Sequence, residues 1–183
     1  MRLEPMSLAH LGALAEVGLD EELWRWTATR VASGAEMRAY VESALDEQAR
    51  GASLPFVTVD KESGRVAGST RFGNIDRENR KAEIGWTWVG RAWQRTAVNT
   101  EAKLLMLAHA FEVWRCVRVE LKTDSLNERS RRAILRIGAK EEGTLRNHMI
   151  TYTGRLRHSV FFSVIESEWP QVRADLETKL ARV

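Results

Sequence analysis

Ala82-Glu83-Ile84-Gly85-Trp86-Thr87-Trp88-Val89, then a long apolar helix, then Val117-Arg118-Val119-Glu120-Leu121-Lys122-Thr123: this succession decides the fold. In the first segment Ile84, Trp86 and Trp88 alternate with Glu83, Gly85 and Thr87, so it reads as a strand with one apolar face. The helix spans roughly residues 98–114. Its middle, Leu104-Leu105-Met106-Leu107-Ala108, is apolar on all sides, as expected of a helix packed deep against a sheet. The last segment alternates with a period of two and reads as a second strand. A helix that crosses between two strands of one sheet requires those strands to be parallel.

Working outward, Phe56-Val57-Thr58-Val59 and the run 66–72 flank a Lys61-Glu62-Ser63-Gly64 turn and form a hairpin. Asn127 opens a helix that runs through Ile137, and Gly138 closes it. Strands follow near 143–150 and 158–165. Pro170 sits in the first turn of a last helix, where its missing N–H costs nothing. The first third reads as helical: Leu8, Leu11, Leu14 and Ala15 follow a cap at Ser7, residues 19–26 form a short helix or turn, and Ser33-Gly34-Ala35-Glu36 resembles a capping box. The expected class is α/β (α+β), with a mixed sheet, a parallel centre and flanking helices.

Composition sets the bounds. The chain has 183 residues, 44% hydrophobic and 29% charged, with 12 Gly and 3 Pro. That balance fits one globular domain over 1–183. The longest nearly apolar run, 104–111, is far short of the ~20 residues a membrane span needs. No apolar signal segment follows Met1, and Cys116 is alone, so no disulfide framework and no cysteine-based metal site is expected. A reducing cytoplasm is the expected location. The 28 basic residues exceed the 25 acidic ones by only three, which does not argue for nucleic acid.

Two strand-to-helix junctions draw the chemistry. The first is Trp88-Val89-Gly90-Arg91-Ala92-Trp93-Gln94-Arg95-Thr96-Ala97-Val98-Asn99-Thr100. The first N–H groups of a helix have no carbonyl partners, and the dipole and two arginines add positive charge, a combination suited to phosphate. The second is Asp124-Ser125-Leu126-Asn127-Glu128-Arg129-Ser130-Arg131-Arg132, with Arg136 a turn later. Ordinary caps with solvated arginines are the competing reading at each. Two such junctions on adjacent parallel strands, however, open at the same sheet edge, where ligands of open sheets bind.

The segments Gln94-Arg95-Thr96-Ala97-Val98-Asn99 and Asn127-Glu128-Arg129-Ser130-Arg131-Arg132-Ala133, with Gly138-Ala139-Lys140-Glu141-Glu142-Gly143, resemble the GCN5-related N-acetyltransferases. Within them the chain looks most like the RimJ/RimL type of ribosomal-protein N-terminal acetyltransferase. The resemblance implies a central sheet of six to seven strands splayed at its middle. It also implies transfer of an acetyl group from acetyl-CoA, the co-substrate, to a primary amine, with no metal. At matching positions it implies that the backbone of Thr87, Trp88 and Val89 pairs with the pantetheine arm. The loop Gln94, Arg95, Thr96, Ala97, Val98 and Asn99, with Arg129, would hold the pyrophosphate. Asn127 would hydrogen-bond the pantetheine, and Ser130 would protonate the leaving thiolate. Trp24 and His148 are expected acceptor contacts.

Two departures are visible. Ala97 and Asn99 stand where the family has small glycines; Ala97 disfavours a positive φ, and Asn99 tolerates one. Met149 stands where some RimL-type enzymes carry a glutamate, and His148 beside it should point to the other face of its strand. Glu83 is then the expected base, unless it is a solvated strand carboxylate. A site without a strong base favours an α-amine, of pKa about 7.7–8.0, over lysine at about 10.4. Near pH 7.5 shedding the proton costs about 0.6 kcal/mol for the first and about 4 for the second. The expected acceptor is a protein or peptide N-terminus or a small amine, attacked directly in a ternary complex. A non-catalytic acyl-CoA sensor is the alternative, and an RNA-associated protein using arginines 129–136 is a third. A homodimer is one expected assembly.

Overall fold

The computed structural model describes residues 1–182. One seven-stranded sheet runs through it, in the order β1-β2-β3-β4-β5-β7-β6. The strands are β1 (Arg2–Pro5), β2 (Leu54–Val59), β3 (Val66–Asp76), β4 (Lys81–Val89), β5 (Arg118–Asp124), β6 (Lys140–Ile150) and β7 (Leu156–Ile165). The helices are α1 (Leu11–Gly18), α2 (Gly34–Ala49), α3 (Val98–Ala108), α4 (Glu128–Arg136) and α5 (Trp169–Leu180). Among the described residues no helix is long and apolar enough to cross a membrane.

The β2–β3 hairpin and the β4–α3–β5 crossover form as their patterns predict, and β4–β5 is the parallel pair. β1 is a strand that sequence reading placed in a helical region; four residues of mixed polarity carry too little periodicity to announce it. Ser33 caps α2 by accepting the N–H of Glu36 at 3.2 Å. Glu36 answers not to the cap but one residue earlier, to the N–H of Ala32 at 2.6 Å. Gly138 closes α4 at φ +96, with Val172 of α5 so near that a Cβ would meet its side chain.

Two main apolar cores lie on opposite faces of the sheet. One packs Phe72, Ile84, Met106, Leu107, Phe162 and Leu176 beneath α3 and α5. The other packs Leu14, Trp24, Met37, Val41, Val57 and Trp88 beneath α1 and α2. The middle of α3 is not apolar all round in its surroundings: Met106 and Leu107 are buried but Leu105 is 45% exposed. After Ala108 the helix widens into a π turn, His109–Val113, before β5.

Strand β4 feeds both cores, and a bulge makes this happen. Its register against β3 shifts by one residue between Arg71↔Gly85 and Ser69↔Trp88, and Trp86 takes φ +48. An extra residue in a strand reverses the alternation beyond it. Ile84 therefore joins the α3 side and Trp88 the α1–α2 side. The expectation of one apolar face carrying Ile84, Trp86 and Trp88 fails for this reason, and Trp86 is left 39% exposed.

Candidate active site

The parallel pairing of β4 with β5 is confined to Lys81↔Arg118, Ala82↔Val119 and Glu83↔Glu120. Beyond Glu83 the two strands part. β4 stays bonded to β3 as far as Gly68↔Val89, and β5 stays bonded to β7 as far as Asp124↔Ser159. Each arm is held on its outer side, so the inner edges, including that of Thr87, Trp88 and Val89, face a wedge-shaped gap with backbone groups to offer. The Trp88 side chain is buried.

Both junctions open at the mouth of the gap. After β4, a turn over Arg91–Trp93 leads to Gln94, whose amide donates to Val89 O at 2.8 Å. The positive φ of the loop falls on Arg95, at +64. Ala97 is right-handed at φ −64, and Asn99 lies within α3. The strain expected at Ala97 and Asn99 is thus carried one turn earlier, by a residue whose side chain is solvent-exposed. The first backbone bond of α3 runs from Glu101 N–H to Ala97 O at 2.9 Å, and the Val98 N–H goes to Thr96 Oγ1 at 3.3 Å. The N–H groups of Asn99 and Thr100 precede the helix's own bonding, so they suit an anion.

At the second junction Asn127 caps α4, its Oδ1 accepting the Ser130 N–H at 3.1 Å. That leaves only the Asn127 Nδ2 to reach a ligand. Arg129 joins the two junctions, donating to Gln94 Oε1 at 2.9 Å. A cavity of about 480 Å³ lies here, lined by Leu23, Trp26, Gln94, Leu126, Asn127 and Arg129 among others. The remaining arginines of α4 are largely occupied within the fold. Arg131 pairs with Glu141 at 3.2 Å and Arg132 with Glu128 at 3.4 Å, while Arg136 donates to Thr100 Oγ1 at 2.8 Å.

On the α1–α2 face, cations and aromatic rings alternate across the sheet. Arg71 lies 5.1 Å from the Tyr40 ring and 5.2 Å from Trp86; Lys122 lies 5.9 Å from Trp86 and 5.8 Å from Phe161. His148 meets Phe161 edge-on at 5.4 Å. This ladder crosses the parted strands. Carboxylates accompany it: Glu47 bonds Arg71 at 3.1 Å, and Glu83 bonds Lys122 at 2.8 Å.

Glu83 is buried, not solvated, and its Oε2 also accepts Asn74 Nδ2 at 2.7 Å. The ammonium of Lys122 and the amide of Asn74 both lie on Oε2. Trp24 is not an acceptor contact. It is 2% exposed and its indole N–H is spent on Gly18 O at 2.7 Å; Trp26, two residues on, lines the cavity instead. His148 turns inward because β6 loses register between Leu145 and Met149, with Asn147 at φ +51. Its Nδ1 lies 3.0 Å from Ser159 Oγ. Partial burial, then the charges of Lys122 and Arg157, hold the imidazole below its usual pKa, so it is neutral near pH 7.

Sequence reading missed Arg71, Lys122, Arg157 and Lys103. Lys122 alternates with Arg118 and Glu120 along β5, which signals a polar strand face but not a shared site. Lys103 sits in an apolar helix run and is buried against Thr70 and Thr87.

The model of the family described as "Acetyltransferase (GNAT) domain" matches residues 1–140. The chain belongs to the GNAT acetyltransferase family. Its relatives include the Bacillus subtilis (strain 168) protein named "Putative ribosomal N-acetyltransferase YdaF", 34% identical over 107 residues. That match covers 58% of this GNAT chain and 57% of the relative's length. A GCN5-related N-acetyltransferase from Brucella melitensis superposes with a TM-score of 0.89 at 33% identity, over 97% of this chain and 80% of that one. RimJ of Mycobacterium smegmatis, solved in complex with CoA-disulfide, shares the fold with a TM-score of 0.83 at 23% identity, over 97% and 88% of the two chains. The RimJ/RimL-like type read from the sequence agrees with these names, and GNAT enzymes take acyl-CoA as donor.

Proposed function

We propose that this GNAT protein transfers the acetyl group of acetyl-CoA to a primary amine, by direct attack within a ternary complex. The acceptor is a protein or peptide N-terminal α-amine or a small amine. The observation that carries the reading is the gap between β4 and β5, which ends at two helix N-termini tied together by Arg129 and Gln94.

In this reading the pantetheine arm adds to the inner edge of β4 at Thr87, Trp88 and Val89, displacing the Gln94 amide from Val89 O. The pyrophosphate sits on the N–H groups between Arg95 and Thr100, drawn by Arg95 and Arg129. The Asn127 Nδ2 donates to the arm. A backbone N–H of β4 polarises the acetyl carbonyl as negative charge develops on its oxygen. The amine nitrogen attacks that carbon, the C–S bond breaks, and Ser130 Oγ–H passes a proton to the departing thiolate as it takes one from solvent.

His148 takes the proton from the amine. In the tautomer this role requires, the proton sits on Nδ1 facing Ser159 Oγ, 3.0 Å away, and Nε2 carries the lone pair. Glu83 serves a different purpose, holding Lys122 across the vertex of the gap. General-base assistance of this kind contributes about 10²–10⁴-fold. An α-amine, already about a third neutral near pH 7.5, needs the least help.

Calorimetry with acetyl-CoA, followed by a thiol-release assay over peptides and small amines, tests the proposal. Binding with amine-dependent thiol release is expected. Binding without release over the whole panel would favour the acyl-CoA sensor, and absence of binding would remove both.

A further inference from the structure

We infer that Arg157 selects the acceptor: its guanidinium binds a carboxylate carried by the amine substrate itself. The inference rests on the acetyl-transfer reading and names the chemistry of its acceptor.

One buried cation on this face has no ion-pair partner among the described residues. On this face of the sheet Lys122 pairs with Glu83, Arg71 with Glu47, and Arg155 with the buried Asp124. Arg157 pairs with no carboxylate among the described residues, yet it is only 7% exposed. Its Nε donates to Ser159 Oγ at 3.1 Å and its Nη1 to the carbonyl of Trp26 at 3.2 Å. Both partners are neutral. Among the described residues Nη2 has no hydrogen-bond partner, and it is not fully enclosed. Burying a guanidinium among neutral groups is costly, and burial works against its charge here, with Asp124 and Glu83 offsetting only part. A planar oxyanion on Nη2 would complete the set, because the guanidinium fork matches a carboxylate.

The proposed partner is the acceptor. Arg157 is bonded to Trp26, which lines the cavity between the junctions. Through Ser159 Oγ it is one atom removed from His148, the proposed proton acceptor. His148 in turn lines a second, open cavity of about 810 Å³ with Arg146, Asn147 and His158. Sharing Ser159 Oγ puts the two side chains side by side, and in the proposal a molecule with its amine at His148 presents its neighbouring substituent to Arg157. The carboxylate can come from two sources: the side chain of an acidic first residue of a peptide, or the α-carboxylate of a free amino acid.

The test uses the full chain, acetyl-CoA and matched acceptor pairs. Peptides beginning with Asp or Glu are compared with those beginning with Asn or Gln, and free amino acids with their carboxamides. The expected result is a kcat/KM at least tenfold higher for the charged member of one pair type, and that pair type identifies the source. Arg157→Gln should bring the ratio close to one. Arg157→Lys, which keeps charge but not the fork, should fall between. Equal rates within every pair for the wild type, or an unchanged ratio in Arg157→Gln, overturn the inference alone. Acetylation of no amine at all overturns the transfer reading and this inference together. If Arg157→Gln fails to fold, as circular dichroism will report, the wild-type ratios and Arg157→Lys still decide.

Discussion

The Nζ of Lys103 lies 2.8 Å from Thr87 Oγ1 and 3.1 Å from Thr70 Oγ1, and no carboxylate accompanies it among the described residues. Burial pushes its ammonium down to about 7. The unfolded chain holds this proton up to about pH 10.4, so between the two values the unfolded state binds more protons. Stability should rise with pH across that window, by roughly 1 kcal/mol per pH unit from this group. Lys103→Met should be more stable than the wild type below pH 7, and its advantage should shrink toward pH 10. Urea unfolding of both proteins at several pH values measures this; parallel pH curves would refute it.

Asn127 does two jobs in the proposed site. It caps α4 through Oδ1, so Asn127→Ala should cost about 1 kcal/mol of stability. It should also weaken acetyl-CoA. Asn127→Asp keeps the cap but loses the Nδ2 donor, so it should retain stability yet still bind the donor more weakly. Thermal melting and calorimetry separate the two effects.

The fold was largely legible because the segments that build it are long and strongly patterned. β5 and α4 stand where alternation and the Asn127 cap put them. Trp86 marks the limit. Alternation assumes an unbroken register, and the local hint of an irregularity is Gly85, since a glycine inside a strand often marks a bulge; it does not say which side chains change face. Trp24 fails for a related reason: side-chain type suggested a cleft wall, but which of two tryptophans is buried is settled by packing against Tyr40 and Trp88. Arg157 and Lys122 became visible only when the topology brought β5, β6 and β7 together.

His148 and Glu83 are assigned different tasks, and pH profiles distinguish them. His148→Gln should lower kcat about 10²-fold at pH 7. In the wild type kcat should fall only as pH drops below the usual histidine pKa of about 6.5, because that imidazole is held lower. Glu83→Gln should leave the position of this limb unchanged. Loss of the limb in Glu83→Gln, but not in His148→Gln, would reverse the assignment.

Arg129 closes the mouth of the gap on Gln94, and an incoming pyrophosphate would take over that donor. Arg129→Ala should weaken acetyl-CoA about tenfold while leaving the affinity for an acetyl-pantetheine fragment, which lacks the phosphates, nearly unchanged. Competition binding with the two compounds reads the difference.

The extra residue near Trp86 makes β4 a strand whose two ends belong to different interiors. Deleting one position between Gly85 and Trp88 would swap inside for outside over the remaining length, driving an indole toward the space Lys103 and Thr87 now share. Such a chain would lose the open wedge and the packing under α1 together. The residue count of this strand is therefore less negotiable than the identity of any single side chain on it.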